Sequence, residues 1–278
     1  MGSFFDLATT GDLLARDFVQ QAVLALALLG LLGGLLSPLI VARQMSFAVH
    51  GVSELSVTGA AAALLAGVGV NIGGVIGAVI AALTFGFLGN RARERDSVIG
   101  VVMAFGLGLA VLFLALYGNA SKGFAMLTGQ VVSVGISGLT AIAVTTGVVI
   151  AVLAVIYRPL LFASVDPRVA MASGVPTRTL SIVFAVLMGL ACAQGVQIIG
   201  ALLVMSLLIT PGAAAMRVSS NPAVVTGLAI LFAEIAAVGG LILSLAPGLP
   251  VSVFVTTISF VIYLVCRYLG RNRAHGQT

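Results

Sequence analysis

Charged side chains are scarce in this chain. Only 8% of its 278 residues are Asp, Glu, Lys or Arg, whereas 60% are hydrophobic. A soluble domain carries about 25% charged residues, and a core of this size could not hide so much apolar surface from water. The mean hydropathy of +1.24 therefore predicts that lipid is the solvent. The apolar runs are long instead of alternating, which excludes a membrane β-barrel and predicts an all-α, polytopic helical bundle.

Several chemical signatures are also missing. The two cysteines, Cys192 and Cys266, lie in apolar stretches without metal-ligand spacing, so we expect buried small hydrophobes instead of a disulfide. The chain has no GxxxxGK[ST] motif, which excludes a phosphate-binding loop of that type. The chain is therefore not expected to have an ATPase site of its own, and any energy source must be another subunit or an ion gradient. Residues 1–17 lack a basic start, unlike a cleaved signal peptide.

Long apolar segments are what the chain has in abundance. About 20 residues are needed for a helix to cross a membrane. The pattern predicts nine spans, or eight if a weak polar break near residues 194–197 does not separate two of them. The predicted spans are 18–42, 46–68, 70–89, 97–117, 137–157, 179–196, 197–215, 222–245 and 250–268. The segment 122–136 is too short to span and is predicted to be a half-helix or an interfacial piece.

The basic residues orient these spans. In the nine-span arrangement, all of the 13 Lys and Arg residues except Arg16 and Lys122 fall on one side. The positive-inside rule makes that side cytoplasmic. The net charge of +5 is thus explained by basic loops, and we expect no nucleic-acid partner. The predicted layout is an extracellular segment 1–17, a transmembrane domain 18–268 and a cytoplasmic tail 269–278, in a multi-pass membrane protein.

Three ionisable residues lie well inside the predicted spans: His50, Glu54 and Glu234. Such groups are costly in a membrane and are usually functional. His50 and Glu54 are four residues apart, which places them one turn apart on one helix face. An imidazole and a carboxylate there could bind Zn2+ or Mn2+, and a homodimer would supply a second pair. They could also simply pair with each other or relay protons.

The remaining polar and sulfur-containing residues are weaker candidates for the transport pathway. Glu234 has no acid or base near it in sequence and could pair with Gln194 or Gln197. Met205, like Met45 and Ser206, is a possible pathway ligand, although Met in buried helices is usually a packing residue.

The predicted cytoplasmic segment 158–178 has the signals of a short helix. Asp166 can cap a helix whose first turn begins with Pro167, and Arg168 lies on it. Gly174 and Pro176 end it. A short amphipathic helix held below the membrane is either a docking surface for a partner protein or an ordinary interfacial helix.

Three sequence stretches together resemble the ABC permeases that take up zinc, manganese and iron. They are VARQMSFAVHGVSELSVTGAA (41–61), SVDPRVAMASGVPTR (164–178) and QIIGALLVMSLLITPGAA (197–214). The family has Asp and then His, four residues later, where this chain has His50 and Glu54. The pair is thus kept in reversed order, and it does not decide between Zn2+ and Mn2+.

The resemblance implies a transport permease subunit of a bacterial inner membrane, not an enzyme, that acts as a homodimer. It further implies that ATP is hydrolysed by a separate ATP-binding subunit docked on a coupling helix, to which Asp166, Arg168, Gly174 and Pro176 belong. An extracellular metal-binding protein would deliver the ion, no cofactor would be bound permanently, and His50 and Glu54 would hold the metal in transit. Two other readings stay open. They are an ion-coupled secondary transporter using His50, Glu54 and Glu234, and a siderophore- or vitamin-type ABC permease, against which the buried His–Glu pair argues.

Overall fold

The computed structural model describes residues 7–87, 92–118, 135–201 and 203–274, and the regular structure within these residues is helical. The helices, in chain order, are α1 (Leu7–Leu14), α2 (Asp17–Ala42), α3 (Ser46–Leu65), α4 (Val70–Phe87), α5 (Ala92–Tyr117), α6 (Ile136–Val165), α7 (Pro167–Ala172), α8 (Thr177–Ile199), α9 (Val204–Leu208), α10 (Thr210–Val218), α11 (Pro222–Leu245) and α12 (Val251–Ala274). The predicted all-α fold is confirmed, and most predicted spans match a helix within a few residues.

Within the described ranges, eight helices are long and apolar enough to cross a membrane: α2 to α6, α8, α11 and α12. The segment 204–218 is apolar but shorter, and it is divided into α9 and α10. Large apolar side chains stay exposed along the outer helices, as expected for surfaces that face hydrocarbon. Ile72, Ile76 and Ile80 form such a row, one turn apart along α4.

Three details of the predicted layout are corrected. The expected break at residues 194–197 is absent, because α8 continues to Ile199 and ends where Gly200 adopts φ 88°. The predicted seventh span, 197–215, is instead the α9–α10 pair. Helical geometry is interrupted at Ile209 (φ −123°), two residues before Pro211 in the first turn of α10. Proline lacks an N–H and cannot continue the ladder of the preceding helix.

The third correction concerns the segment 158–178, whose first part continues the preceding helix beyond the predicted span end at residue 157. Helix α6 runs through Pro159 to Val165. Pro159 removes one hydrogen bond, but Leu160 and Ala163 just beyond it are buried, and their packing keeps the helix intact. Only α7 and the turn after it lie between α6 and α8. Helix α12 likewise extends into the predicted tail as far as Ala274.

Some sequence predictions concern residues outside the described ranges. They are the half-helix in 122–136, of which only the last two positions are described, and the side chain of Lys122.

Cys192 and Cys266 are both buried and free, which confirms that they form no disulfide.

The described residues divide into two compact units. The first contains α1, α2, the part of α6 up to Thr146, and the chain from Met205 through α12. The second contains α3, α4, α5, the rest of α6, α7 and α8. In the second unit, α3 packs against α4, α5 and α8.

Small residues allow the helices of each unit to approach closely, as in membrane proteins generally. In the second unit, a Cβ on Gly189 of α8 would lie 2.8 Å from the Cβ of Ala82. In the first unit, a Cβ on Gly33 of α2 would lie 2.7 Å from the carbonyl oxygen of Leu207.

Candidate functional site

Helix α3 carries the predicted pair in the interior of the second unit. His50 and Glu54 are one turn apart, with Glu54 only 5% exposed and His50 half-buried. The imidazole lies beside the ring of Phe47, with 6.5 Å between the ring centroids and an angle of 47° between the planes. The expected common helix face is therefore present.

The two side chains share an unusual feature. His50 Nδ1 and Glu54 Oε2 are buried, and neither has a hydrogen-bond partner in the structure. A buried polar atom without a partner is costly, the more so if it belongs to a charged group. Nitrogen of imidazole and oxygen of carboxylate are both ligands for Zn2+ and Mn2+. The donor set therefore fits a divalent transition metal passing this point of α3.

Three hydroxyl groups of α3, in contrast, have hydrogen-bond partners. Ser53 Oγ donates to the carbonyl of Val49 at 2.8 Å, and Ser56 Oγ donates to the carbonyl of Gly74 at 3.0 Å. Thr58 Oγ1 lies 3.2 Å from the Glu54 carbonyl and 2.9 Å from the Gly106 carbonyl, where it can donate to α5. Ser56 and Thr58 thus hold α3 to its neighbours and Ser53 bonds within the helix, whereas His50 and Glu54 keep buried atoms without a hydrogen-bond partner.

A single copy supplies a small number of ligands. Among the residues that the structure describes, no group of three or more His, Cys, Asp and Glu side chains is placed to hold a metal ion. Zn2+ sites take four ligands as a rule. Further ligands for an ion at His50 and Glu54 must therefore come from outside this set, for example from water or another chain.

Glu234 and Met205 belong to the first unit, whereas His50 and Glu54 belong to the second. The carboxyl of Glu234 packs on α2, where a Cβ on Gly30 would lie 3.2 Å from Glu234 Cδ. Gln197, considered above as its partner, instead donates from Nε2 to the carbonyl of Asn71 at 3.4 Å. Met205 is half-buried on α9. Their roles in a pathway stay predictions.

The predicted caps of the short helix α7 are present. Asp166 Oδ1 accepts hydrogen bonds from the backbone N–H groups of Arg168 and Val169, both at 3.0 Å, and Pro167 follows in the first turn. At the other end Gly174 has φ 83°, a left-handed conformation that favours glycine. Pro176 then precedes the first residue of α8.

One side of α7 is anchored and the other is open. Ala170 is fully buried, whereas Val169 is 50% and Met171 59% exposed. Arg168 is exposed as well. A short, capped helix that presents apolar and basic side chains outward can serve as a contact surface for another protein.

Two residues with specific contacts were not singled out from the sequence. Arg43, counted above only as a basic loop residue, donates to Ser164 and Ser181. Ser37 of α2 is fully buried, donates to the carbonyl of Ile209 at 3.0 Å and accepts from the N–H of Gly212 at 2.6 Å. Ser37 thus satisfies backbone groups at the α9–α10 break. The only local signal for either was a polar residue beside an apolar run.

Comparison with known proteins places these features in context. A family model described as the ABC 3 transport family matches residues 15–269. The chain is 34% identical over 247 residues to the manganese transport system membrane protein MntC of Halalkalibacterium halodurans, which covers 87% of this chain and 82% of that protein. It is 27% identical over 230 residues to the high-affinity zinc uptake system membrane protein ZnuB of Haemophilus influenzae, covering 82% and 88% of the two chains.

Solved structures share the fold. The chain matches a chain of PsaBC from Streptococcus pneumoniae in complex with Fab with a TM-score of 0.84 and 22% identity, covering 94% of this chain and 95% of that one. It also matches a metal-chelate type ABC transporter in an inward-facing conformation with a TM-score of 0.67 and 19% identity, covering 96% and 92% of the two chains.

Proposed function

The chain belongs to the ABC 3 transport family, and from this premise we propose that it is the membrane permease subunit of an importer for a divalent transition metal ion. Relatives named for manganese transport and for zinc uptake make Mn2+ and Zn2+ the candidate substrates. The higher identity to the manganese protein makes Mn2+ the first of the two to test.

The observation that carries the proposal is the unpartnered pair on α3. His50 Nδ1 and Glu54 Oε2 are buried donor atoms without a hydrogen-bond partner. An arriving metal ion would use both, which offsets the cost of burying them. Two protein ligands are few for a stable site. A small number suits a site that must release its ion after binding it.

The remaining machinery is assigned to other chains. A second copy of the permease would complete the channel and face the metal with its own His–Glu pair. An extracellular metal-binding protein would deliver the ion on the outer side of a bacterial inner membrane. An ATP-binding subunit would dock on α7, through exposed side chains such as Val169 and Met171, and would carry out ATP hydrolysis.

The proposed role of α7 follows from how it is built. Its two ends are held by Asp166 and by Gly174, so α7 can move as one body when a docked subunit moves. A rigid element of this kind can pass a displacement to the helices that flank it.

The test is uptake of radioactive Mn2+ or Zn2+ into vesicles that contain the permease, its ATP-binding subunit and its metal-binding protein. His50→Ala and Glu54→Gln should each lower uptake by about tenfold or more, since even outer-shell partners of metal ligands are worth about 10- to 100-fold. Ser53→Ala is the matched control on the same helix, because its hydroxyl bonds to the carbonyl of Val49 within α3.

Two results would contradict the proposal. Normal uptake of both ions by His50→Ala and Glu54→Gln would remove the metal site from α3. Uptake driven by a pH gradient without any ATP-binding subunit would instead indicate an ion-coupled secondary transporter.

A further inference from the structure

Arg43 occupies the short connection between α2, which ends at Ala42, and α3, which begins at Ser46. Its Nη1 donates to Ser164 Oγ at 3.2 Å, and its Nη2 donates to Ser181 Oγ. The guanidinium also lies over the ring of Phe184, 5.5 Å from the centroid. A cation over an aromatic face is attracted to it, more strongly where water is excluded.

These three partners come from the two helices that flank α7. Ser164 is in the last turn of α6, two residues before the capping residue Asp166. Ser181 and Phe184 are in the first two turns of α8. Arg43, Ser164 and Ser181 all belong to the second unit. One guanidinium therefore connects the start of the helix that carries His50 and Glu54 to both helices that flank the proposed docking helix.

The two serine hydroxyls are oriented for this contact. Ser164 Oγ donates its proton to the carbonyl of Leu160 at 2.6 Å, and Ser181 Oγ donates to the carbonyl of Thr177 at 2.9 Å. Because each proton is directed along its own helix, the oxygen lone pairs are left for the N–H groups of Arg43. Arginine suits this task, since its planar group offers several N–H donors at fixed angles.

The link from Arg43 to the metal site is short. Gln44 has φ 54°, which is uncommon for a residue other than glycine and holds the connection in a tight bend. Met45 is buried, and its carbonyl accepts the N–H of Val49 in the first turn of α3. His50 is the next residue. A displacement of Arg43 would thus be applied to the end of α3 that carries the candidate ligands.

We infer that Arg43 is a positioning residue that couples movement of α7 to α3, and so to the exposure of His50 and Glu54. The inference rests on the proposed function, because it requires a docked subunit that moves α7. Hydrogen bonds from a cation to neutral hydroxyls are weaker than a bidentate bond to a carboxylate. They can therefore break and re-form as the transporter cycles.

The experiment compares metal uptake with ATP hydrolysis in vesicles that contain the complete transporter, with Mn2+ as the probe. Arg43→Ala should lower the amount of Mn2+ moved per ATP by about tenfold, because a hydrogen bond to a charged group is commonly worth a factor of this size. The rate of ATP hydrolysis should stay within about twofold of wild type, because Ser164, Ser181 and Phe184 lie on α6 and α8 and not on the exposed side of α7 where the ATP-binding subunit would dock. A residue with a merely structural role would lower both rates together.

Two further variants separate coupling from folding. The double variant Ser164→Ala with Ser181→Ala removes both acceptors and leaves Arg43 intact. It should not disrupt α6 or α8, because alanine has a higher helix propensity than serine. It should lower the uptake-to-hydrolysis ratio in the same direction. Arg43→Lys should give an intermediate ratio, since an ammonium group lacks the planar fork. Arg267→Ala, at an exposed arginine of α12, and Thr84→Ala, at a hydroxyl that donates to its own helix at Ile80, are the matched controls and should leave the ratio unchanged.

The outcomes distinguish this inference from the proposed function. If the wild-type complex moves no metal, the proposed function fails. If it moves metal and the Arg43→Ala and double-serine variants keep the wild-type ratio, only the coupling role of Arg43 is overturned. If Arg43→Ala does not assemble, the double-serine variant decides: a normal ratio refutes the inference and a lowered ratio supports it.

Discussion

Helix α4 lies directly against the backbone of α3 at Gly77, beside the candidate metal site. A Cβ at Gly77 would lie 2.5 Å from the carbonyl oxygen of Leu55 and 3.0 Å from Gly59 Cα. Non-bonded heavy atoms prefer about 3.5–4.0 Å. In Gly77→Ala, α3 and α4 must therefore separate by about 1 Å to restore an ordinary contact. Since Leu55 directly follows Glu54, the shift acts on the candidate ligand.

The size of the effect follows from two opposing contributions. Alanine is favoured over glycine in a helix interior by about 1 kcal/mol, whereas overpacking of a tight contact costs about 1–3 kcal/mol. Gly108 of α5 is the matched control, because a Cβ there would meet nothing within 4 Å in this chain. The propensity gain is common to both variants. The difference between Gly77→Ala and Gly108→Ala thus isolates the contact, and we expect Gly77→Ala to be less stable by about 1–3 kcal/mol.

The measurement is the free energy of unfolding of the permease in mixed micelles, from titration with a denaturing detergent followed by circular dichroism. Mn2+ uptake is the second readout, and it should fall in Gly77→Ala and not in Gly108→Ala. If Gly77→Ala unfolds at the same detergent fraction as Gly108→Ala and transports normally, the close approach of α3 and α4 does not position Glu54.

Three further changes test the local geometry. Asp166→Ala removes the cap of α7 and should destabilise that helix by about 0.5–2 kcal/mol, which would be measured as faster amide hydrogen exchange in residues 167–172. Asp166→Asn keeps an acceptor and should exchange like wild type. Equal exchange rates in all three proteins would argue against the cap. Gly174→Ala places a side chain at φ 83° and should lower the free energy of unfolding by about 1–2 kcal/mol. Gly147→Ala is the control and should not destabilise the protein, because a Cβ there meets nothing within 4 Å. Similar stabilities of the two variants would contradict the left-handed turn. Ser37→Ala leaves the Gly212 N–H without its acceptor and should lower the free energy of unfolding by about 1–3 kcal/mol. Ser244→Ala should lower it by less, because the buried hydroxyl of Ser244 bonds to Leu241 on its own helix. The reverse order would show that Ser37 does not support the α9–α10 break.

Local patterns identified much of the candidate site. The spacing of His50 and Glu54 predicted a shared helix face, because helical periodicity depends only on separation along the chain. Asp166 and Pro167 predicted the start of α7 for a similar reason, since a cap bonds to N–H groups two and three residues away. Such interactions are contained within one turn of the chain, so the sequence displays both partners together.

Interactions between distant segments were not readable in the same way. Arg43 is 121 residues from Ser164 and 138 residues from Ser181. The predicted spans end at residue 157, just before Pro159, and at residue 196, within the polar stretch 194–197, yet both helices continue past these points. Packing of neighbouring residues such as Leu160 outweighs the unfavourable effect of proline in a helix interior, and that packing is visible only in the tertiary structure.

The sequence by itself determined that this protein is a bundle of lipid-solvated helices, because apolar length alone selects helices in a membrane. It also determined which family's motifs the chain carries and which two side chains could meet a metal ion. Only the tertiary structure decided that His50 Nδ1 and Glu54 Oε2 lack partners while the hydroxyls of Ser53, Ser56 and Thr58 have them. Whether a polar group is satisfied depends on what the neighbouring helices bring to it, and that is a property of packing.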